Sequence, residues 1–310
     1  MANQIQGLKY MLERDGEVEA NRYFDPIFAS GEVYLLENNA YLPLGFLAQS
    51  ELSDLVLTGS DHFEIQNALF SASTGLYADV WHPMEPQITG EELTISSVSG
   101  PTVKYSGSQS GSSMVYSFTA DREGFVCLDF DVTKRNSYTV YLNGEKLYSE
   151  SLSLTQMIAA CDVIPGDVIE VKLTCKQGED GRMTIRAAIL DDALFRRGVE
   201  KLGESTLELT DFDTTYLRGT VDAAKDGLLY TSIPQDGGWS VRVDGEEVET
   251  VLVGDVMLAV PMTAGEHTVE FVYENKAFAI GWKISAICLL LLATTAPLYY
   301  TKRKKGRFEK

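Results

Sequence analysis

Positive charge is scarce in this chain of 310 residues: 26 Lys+Arg stand against 45 Asp+Glu, a formal charge of −19. Much of that positive charge sits in the last ten residues, so residues 1–300 carry 20 Lys+Arg against 44 Asp+Glu, a balance of −24. So acidic a surface repels phosphate backbones, which excludes nucleic acid and makes anionic lipid a poor partner. Cysteine is equally sparse. Of the four, Cys288 lies in an apolar run, while Cys127, Cys161 and Cys175 show no C-x-x-C spacing, so no metal site is expected. A Cys161 to Cys175 disulfide is one reading and buried free thiols the favoured one. The three histidines, His62, His82 and His267, stand in no H-E-x-x-H or comparable frame, and G-x-S-x-G is missing. An independent hydrolase therefore lacks a nucleophile, base or metal constellation, and neither a catalytic residue nor a cofactor is expected in this chain.

Long hydrophobic runs are also lacking, with one exception. Phe278 to Tyr300 is about 34 Å long as a helix, enough for a hydrocarbon core of about 30 Å. Its centre, Ile284 to Ala293, is uncharged, and Lys283 can snorkel to the headgroups. Lys302, Arg303, Lys304, Lys305 and Arg307 follow at once, and short basic flanks stay on the cytoplasmic side, so a cytoplasmic C-terminus is expected. Residues 1–276 then belong outside the cell. Met1 to Tyr10 has neither the basic nor the apolar region of a signal peptide, so the expectation is that earlier transmembrane helices are missing and the chain is the C-terminal piece of a longer one.

The most informative internal feature is a repeat with a spacing of about 100 residues. The first copy runs Ala120-x-x-x-Gly124-Phe125-Val126-Cys127-Leu128, then Tyr138 to Glu145, then Val163-Ile164-Pro165-Gly166-Asp167 into Val168 to Val171. The second runs Ala223-x-x-x-Gly227-Leu228-Leu229-Tyr230, then Trp239 to Glu246, then Met262-Thr263-Ala264-Gly265 into Glu266 to Phe271. In each, the middle strand alternates and ends in Asn143-Gly144 or Asp244-Gly245, residues that tolerate the positive φ of a tight hairpin. Short alternating strands joined by such turns predict two similar β-sandwiches.

A mainly β fold follows, divided as a small α+β module (1–80), a first β-sandwich (81–190), a helical linker (191–203), a second β-sandwich (204–276), a transmembrane helix (277–300) and a basic tail (301–310). Within the module, Gly7 to Arg14 suits strand or helix, Val33 to Leu36 a strand and Phe63 to Ser73 an amphipathic helix. In the linker, Asp191 to Leu202 has helical spacing that Gly198 weakens. Ser106 to Ser113 is too small and polar for a core and reads as a flexible loop. Asp129-x-Asp131 and Asp211-x-Asp213 offer oxygens to calcium but lack the Gly and distal Glu of an EF-hand, and ordinary surface acids are the favoured reading. Trp239 beside Gly238 is the one residue singled out for sugar contact. Core or rim packing is nonetheless the commoner role of Trp at a strand start.

Three N-terminal motifs, Gly31-x-Val33-Tyr34-Leu35-x-Glu37-Asn38, Leu42-Pro43-Leu44-Gly45-Phe46 and Phe63-x-x-Gln66-Asn67, resemble the C-terminal region of YfhO-type bacterial membrane proteins. Pro234, Gly238-Trp239, Val243-Asp244-Gly245, Ala264-Gly265-x-His267, Tyr273 and the closing helix resemble that family's last sandwich and final span. The resemblance implies a GT-C-type glycosyltransferase with many membrane helices and a lipid-linked sugar donor, implicated in glycosylating lipoteichoic acid. It also implies that the catalytic acid lies in an early outward loop outside this chain, so residues 1–276 alone are expected to have no transferase activity. The partners expected are membrane lipid, a cell-envelope glycopolymer and the missing N-terminal membrane part. The alternative is a non-catalytic structural or protein-interaction module.

Overall fold

The computed structural model describes residues 6–14, 22–106, 111–134 and 136–305, with residues 298–305 as backbone alone. Residues 107–110 of the Ser106 to Ser113 loop and Arg307 of the basic tail lie outside the described residues.

The N-terminal part is a three-stranded antiparallel sheet, ordered Tyr10–Glu13, Val33–Asn38, Phe24–Ser30, followed by helix α1 (His62–Thr74). Asp61 caps α1 by accepting from the backbone N–H groups of Phe63 and Glu64, and Gly75, at φ 68°, ends it in the left-handed conformation. Helix α2 (Asp192–Leu202) is capped in the same way by Asp191, whose Oδ1 accepts from Leu194 N–H at 2.9 Å. The two helices pack where Gly198 meets Phe70, and a Cβ at 198 would stand 2.3 Å from that ring. The glycine that weakens α2 as a sequence is thus what lets it approach α1.

In the first sandwich one sheet is ordered Glu145–Ser151, Ser137–Leu142, Val168–Thr174, Ser113–Thr119, Pro86–Glu91. The other runs Thr155–Val163, Gly124–Val132, Gly181–Leu190, Thr102–Ser106, Thr94–Ser99, with Trp81–Met84 also on Gly181–Leu190. Alternating residues of both sheets close one core around Tyr116, Phe118, Phe130 and Tyr138. Burying side chains of this size contributes about 2–3 kcal/mol each.

The second sandwich repeats the first sheet strand for strand: Glu246–Val248, Trp239–Val243, Gly265–Tyr273, Tyr216–Ala223, Glu208–Asp213. Its hairpin turn is also the same. Asn143 and Asp244 sit at φ 51° and 54°, and the side chain of each accepts the N–H of the strand opposite, from Val168 at 2.9 Å and Thr268 at 2.8 Å. Asn143 then donates to Asp167, whereas Asp244 meets His267 Nδ1 at 2.7 Å. In the facing sheet Gly124–Val132 is flanked by Thr155–Val163 and Gly181–Leu190, and its counterpart Gly227–Pro234 is flanked by Met257–Met262 and Gly45–Ala48. The place of Gly181–Leu190 is therefore filled from the N-terminal part, and the chain passes from Gly265–Tyr273 directly into helix α3. All four residues of Gly45–Ala48 are buried.

Helix α3 (Lys276–Lys305) follows Tyr273 after two residues, Glu274 and Asn275, with Asn275 Oδ1 accepting from Phe278 N–H at 2.8 Å. Its window Lys276–Pro297 has a mean hydropathy of 1.9 and none of it is buried against protein, so the helix is long and apolar enough to cross a membrane.

Candidate functional site

The residue pair Trp239 and Tyr273 defines the most distinctive surface feature. They face each other across the ladder between Trp239–Val243 and Gly265–Tyr273, with ring centroids 5.1 Å apart and planes at 57°. Together with Thr214, Ser232, Ile233, Pro234, Gln235 and Asp236 they line an open groove of about 470 Å³. Both rings are half-buried.

The loop that carries Trp239 is tightly specified. Gln235 accepts from the N–H groups of Gly237 and Trp239 and donates to Trp239 O. Asp236 accepts from Gly238 N–H at 2.9 Å with one oxygen and from the Tyr273 hydroxyl at 2.7 Å with the other. The Tyr273 hydrogen bond, followed by that of Gly238, holds the Asp236 carboxyl below the usual carboxylate range, and the same bond raises the Tyr273 hydroxyl. Gly238 is required by close approach, since a Cβ there would lie 2.5 Å from the Tyr273 ring and 3.0 Å from both Asp236 Oδ1 and Glu274 O. Of the residues that carried the sequence resemblance, Pro234, Gly238, Trp239 and Tyr273 meet here. Asp244, Gly245 and His267 meet at the opposite, turn end of the same sheet.

Counting back from the shared turn, Trp239 and Tyr273 occupy the positions of Tyr138 and Leu173, which also pair across their ladder. In the first sandwich that pair is sealed. Tyr138 is 1% exposed, with Phe130 at 5.0 Å and Tyr148 edge-on at 6.3 Å. Tyr148 stands opposite Val140 on a seven-residue edge strand, whereas Val248 stands opposite Val241 and its strand ends there after three residues. The groove is open because the second edge strand is short and carries a small residue at the covering position.

The other residues singled out in the sequence are placed elsewhere. Asp129 is not a surface acid. It is fully buried, bonded to His62 Nδ1 at 2.8 Å and to Arg186 Nη1 at 3.0 Å, and Arg186 also holds Asp61 at 3.1 Å. Its strand alternates as though that face were wet, but α1 and its neighbours cover it. Asp131 pairs with Arg182 at 3.0 Å, while Asp211 and Asp213 lie on an exposed edge strand. His82 approaches Asp191 at 4.0 Å. Cys127, Cys161 and Cys175 are free thiols, and burial pushes them up to about 12, 11 and 11 respectively, which makes them poor nucleophiles. Gln66 and Asn67 do structural work, Asn67 accepting from the N–H groups of Val80 and Trp81 and Gln66 from the Trp81 indole.

A family model described as bacterial membrane protein YfhO matches residues 1–285. No match is found among curated proteins. Among solved structures, a family two carbohydrate esterase from Clostridium thermocellum in complex with cellohexaose is 16% identical over 32% of this chain and 29% of its own, with a TM-score of 0.23. The C-terminal CBM6 of the laminarinase LamC from Zobellia galactanivorans is 14% identical over 35% of this chain and 98% of its own, at 0.26. The arabinofuranosyltransferase AftD from Mycobacteria is 11% identical over 54% of this chain and 14% of its own, at 0.24. Scores this low describe local likeness and carry no argument about function.

Proposed function

Since this chain belongs to the YfhO family of bacterial membrane proteins, we propose that it is the extracytoplasmic, acceptor-positioning end of a GT-C-like membrane glycosyltransferase. The polymer class that the resemblance implies is lipoteichoic acid. Residues 1–276 lie outside the cell in this reading, α3 crosses the bilayer and the basic end of α3 is cytoplasmic. Membrane helices preceding this region would supply the catalytic acid and the donor site. The chain's own task is binding, not bond breaking.

The observation that best supports this reading is the open Trp239–Tyr273 groove. An aromatic face beside polar groups that can bond hydroxyls is the chemistry of sugar recognition, because a pyranose presents an apolar C–H face and an equatorial rim of hydroxyls. Asp236 has lone pairs left after its two internal hydrogen bonds, and the Tyr273 oxygen can accept while it donates to Asp236.

The test is retention of deacylated lipoteichoic acid by the full chain in nanodiscs, with and without Trp239→Ala. Retention lost in the variant supports the reading. No retention by either protein leaves the chain a structural or protein-interaction module. A protease that cuts residues 1–276 in intact cells while sparing a tag after Lys310 checks the topology, and the reverse pattern overturns it.

A further inference from the structure

We infer that the Trp239–Tyr273 groove takes the neutral sugar headgroup of a glycolipid seated in the same bilayer as α3, not an internal unit of a polymer. This rests on the reading of the groove as a sugar site and narrows its ligand.

Position is the first argument. Gly265–Tyr273 ends at the groove and α3 begins at Lys276, so the linker is Glu274 and Asn275 alone. Both are fixed: Glu274 N–H donates to Gly238 O at 2.9 Å, and Asn275 caps α3 through Phe278 N–H. Three residues of fully extended chain span at most about 10 Å, so the groove stands within that reach of the start of the span. Trp282, exposed on the second turn of α3, is a residue type that settles at the membrane interface. A rigid join of this length holds the groove at headgroup depth.

Charge is the second argument. Among the lining residues there is no Lys or Arg, and the one ionisable acid is Asp236, kept charged by Tyr273 and Gly238. A carboxylate with no cation among the residues that line the groove with it repels phosphate, so phosphodiester units and anionic headgroups are disfavoured. The groove's two rings, inclined at 57°, offer one stacking face and one wall, which suits a single pyranose and leaves its lipid-bearing carbon free to point toward the membrane.

The third argument is the contrast between the copies. The same position in the first sandwich, with no membrane helix attached to its strand, is closed by Tyr148. The first sandwich has a pocket of about 580 Å³ at the same end, but it is lined by Asn136, Ser137, Thr174 and Lys176 and has no aromatic wall; the aromatic wall is found in the copy joined to α3.

The experiment uses the full chain in phosphatidylcholine nanodiscs containing glucosyl-diacylglycerol, with phosphatidylglycerol nanodiscs and soluble methyl glucoside as the other arms, and native mass spectrometry to count bound lipid. Retention of the glycolipid over phosphatidylglycerol, falling about tenfold in Trp239→Ala and in Tyr273→Leu, is expected. Should Trp239→Ala fail to fold, Tyr273→Leu decides, since it copies the residue of the first sandwich. Equal retention of both lipids, or retention unchanged in the variants, overturns the inference. Capture of deacylated polymer without glycolipid retention overturns it while leaving the acceptor-positioning reading intact, and capture of neither removes both.

Discussion

The two sandwiches are the same object built under different constraints. Both place a hairpin turn at φ 51° and 54° and latch it to the opposite strand by the same side-chain-to-backbone bond. They differ at the two places where the second must connect to something else. Its last strand continues into α3, so a strand from the N-terminal part completes its sheet, and its edge strand stops after three residues, so the position of a cross-strand pair that is core in one copy, Tyr138 and Leu173, holds an aromatic pair that walls a groove in the other. A repeat can thus be put to new use by shortening one strand and borrowing another, with the core pattern untouched.

The sharpest way to break that comparison is at the borrowed strand. Phe46 is 1% exposed and packs on Tyr230 at 5.2 Å. Phe46→Ala should remove about 3–5 kcal/mol from the second sandwich, and hydrogen exchange should locate the loss in Gly227–Pro234 and Met257–Met262 while the first sandwich stays protected. Uniform loss across both would mean the strand is not specific to the second copy.

Asp129→Ala acts on the first copy instead, leaving Arg186 with only Asp61 as an acidic partner and His62 with none. About 3 kcal/mol is expected from breaking a buried pair, read by denaturant unfolding. Gly198→Ala should cost about 1–3 kcal/mol, because the added methyl must displace Phe70, and the same assay should show it.

The smallest effect is at the latches. Asp167 in the first copy is held low by Asn143 and the Ile164 N–H, and Asp244 in the second by His267 and the Thr268 N–H. Lowered folded values mean that each acid's contribution is present above the ordinary carboxylate range, about pH 4, and is lost as pH falls through the folded value. Asn143→Asp gives the first copy the turn residue of the second but opposes it to Asp167 in place of His267. A small drop in thermal stability at pH 7 that vanishes near pH 3 is expected, and no drop would show that the latch partners are interchangeable.

Much of this was legible in the sequence. The paired blocks, the Asn-Gly and Asp-Gly turns, the two shorter helices and the long apolar helix all follow from local pattern, and the two similar sandwiches follow from their repetition. What was hidden depends on what covers a face. Asp129 alternates with Val126, Leu128, Phe130 and Val132 as an outward residue would, and only the packing of α1 turns that outward face into an interior. Gly45–Ala48 is buried throughout, so it shows no period-two pattern, and nothing local assigns it to a sheet formed far along the chain. Trp239 was legible as a candidate, but its openness was not, since that is set by where the neighbouring strand ends.

The borrowed strand also imposes an order of events on synthesis. Ala48 pairs with Leu228, 180 residues later, so on a ribosome adding about 5–20 residues per second the strand is made roughly ten to thirty seconds before its partner. Throughout that interval Phe46, Leu47 and Ala48 are an unpaired, adhesive segment while the first sandwich, complete within its own stretch of chain, closes beside them. Closing so large a loop is slow compared with forming local hairpins. The second sandwich is therefore the last part to mature, and its completion is the moment at which the N-terminal part and the long apolar helix become joined through the two facing sheets of one sandwich.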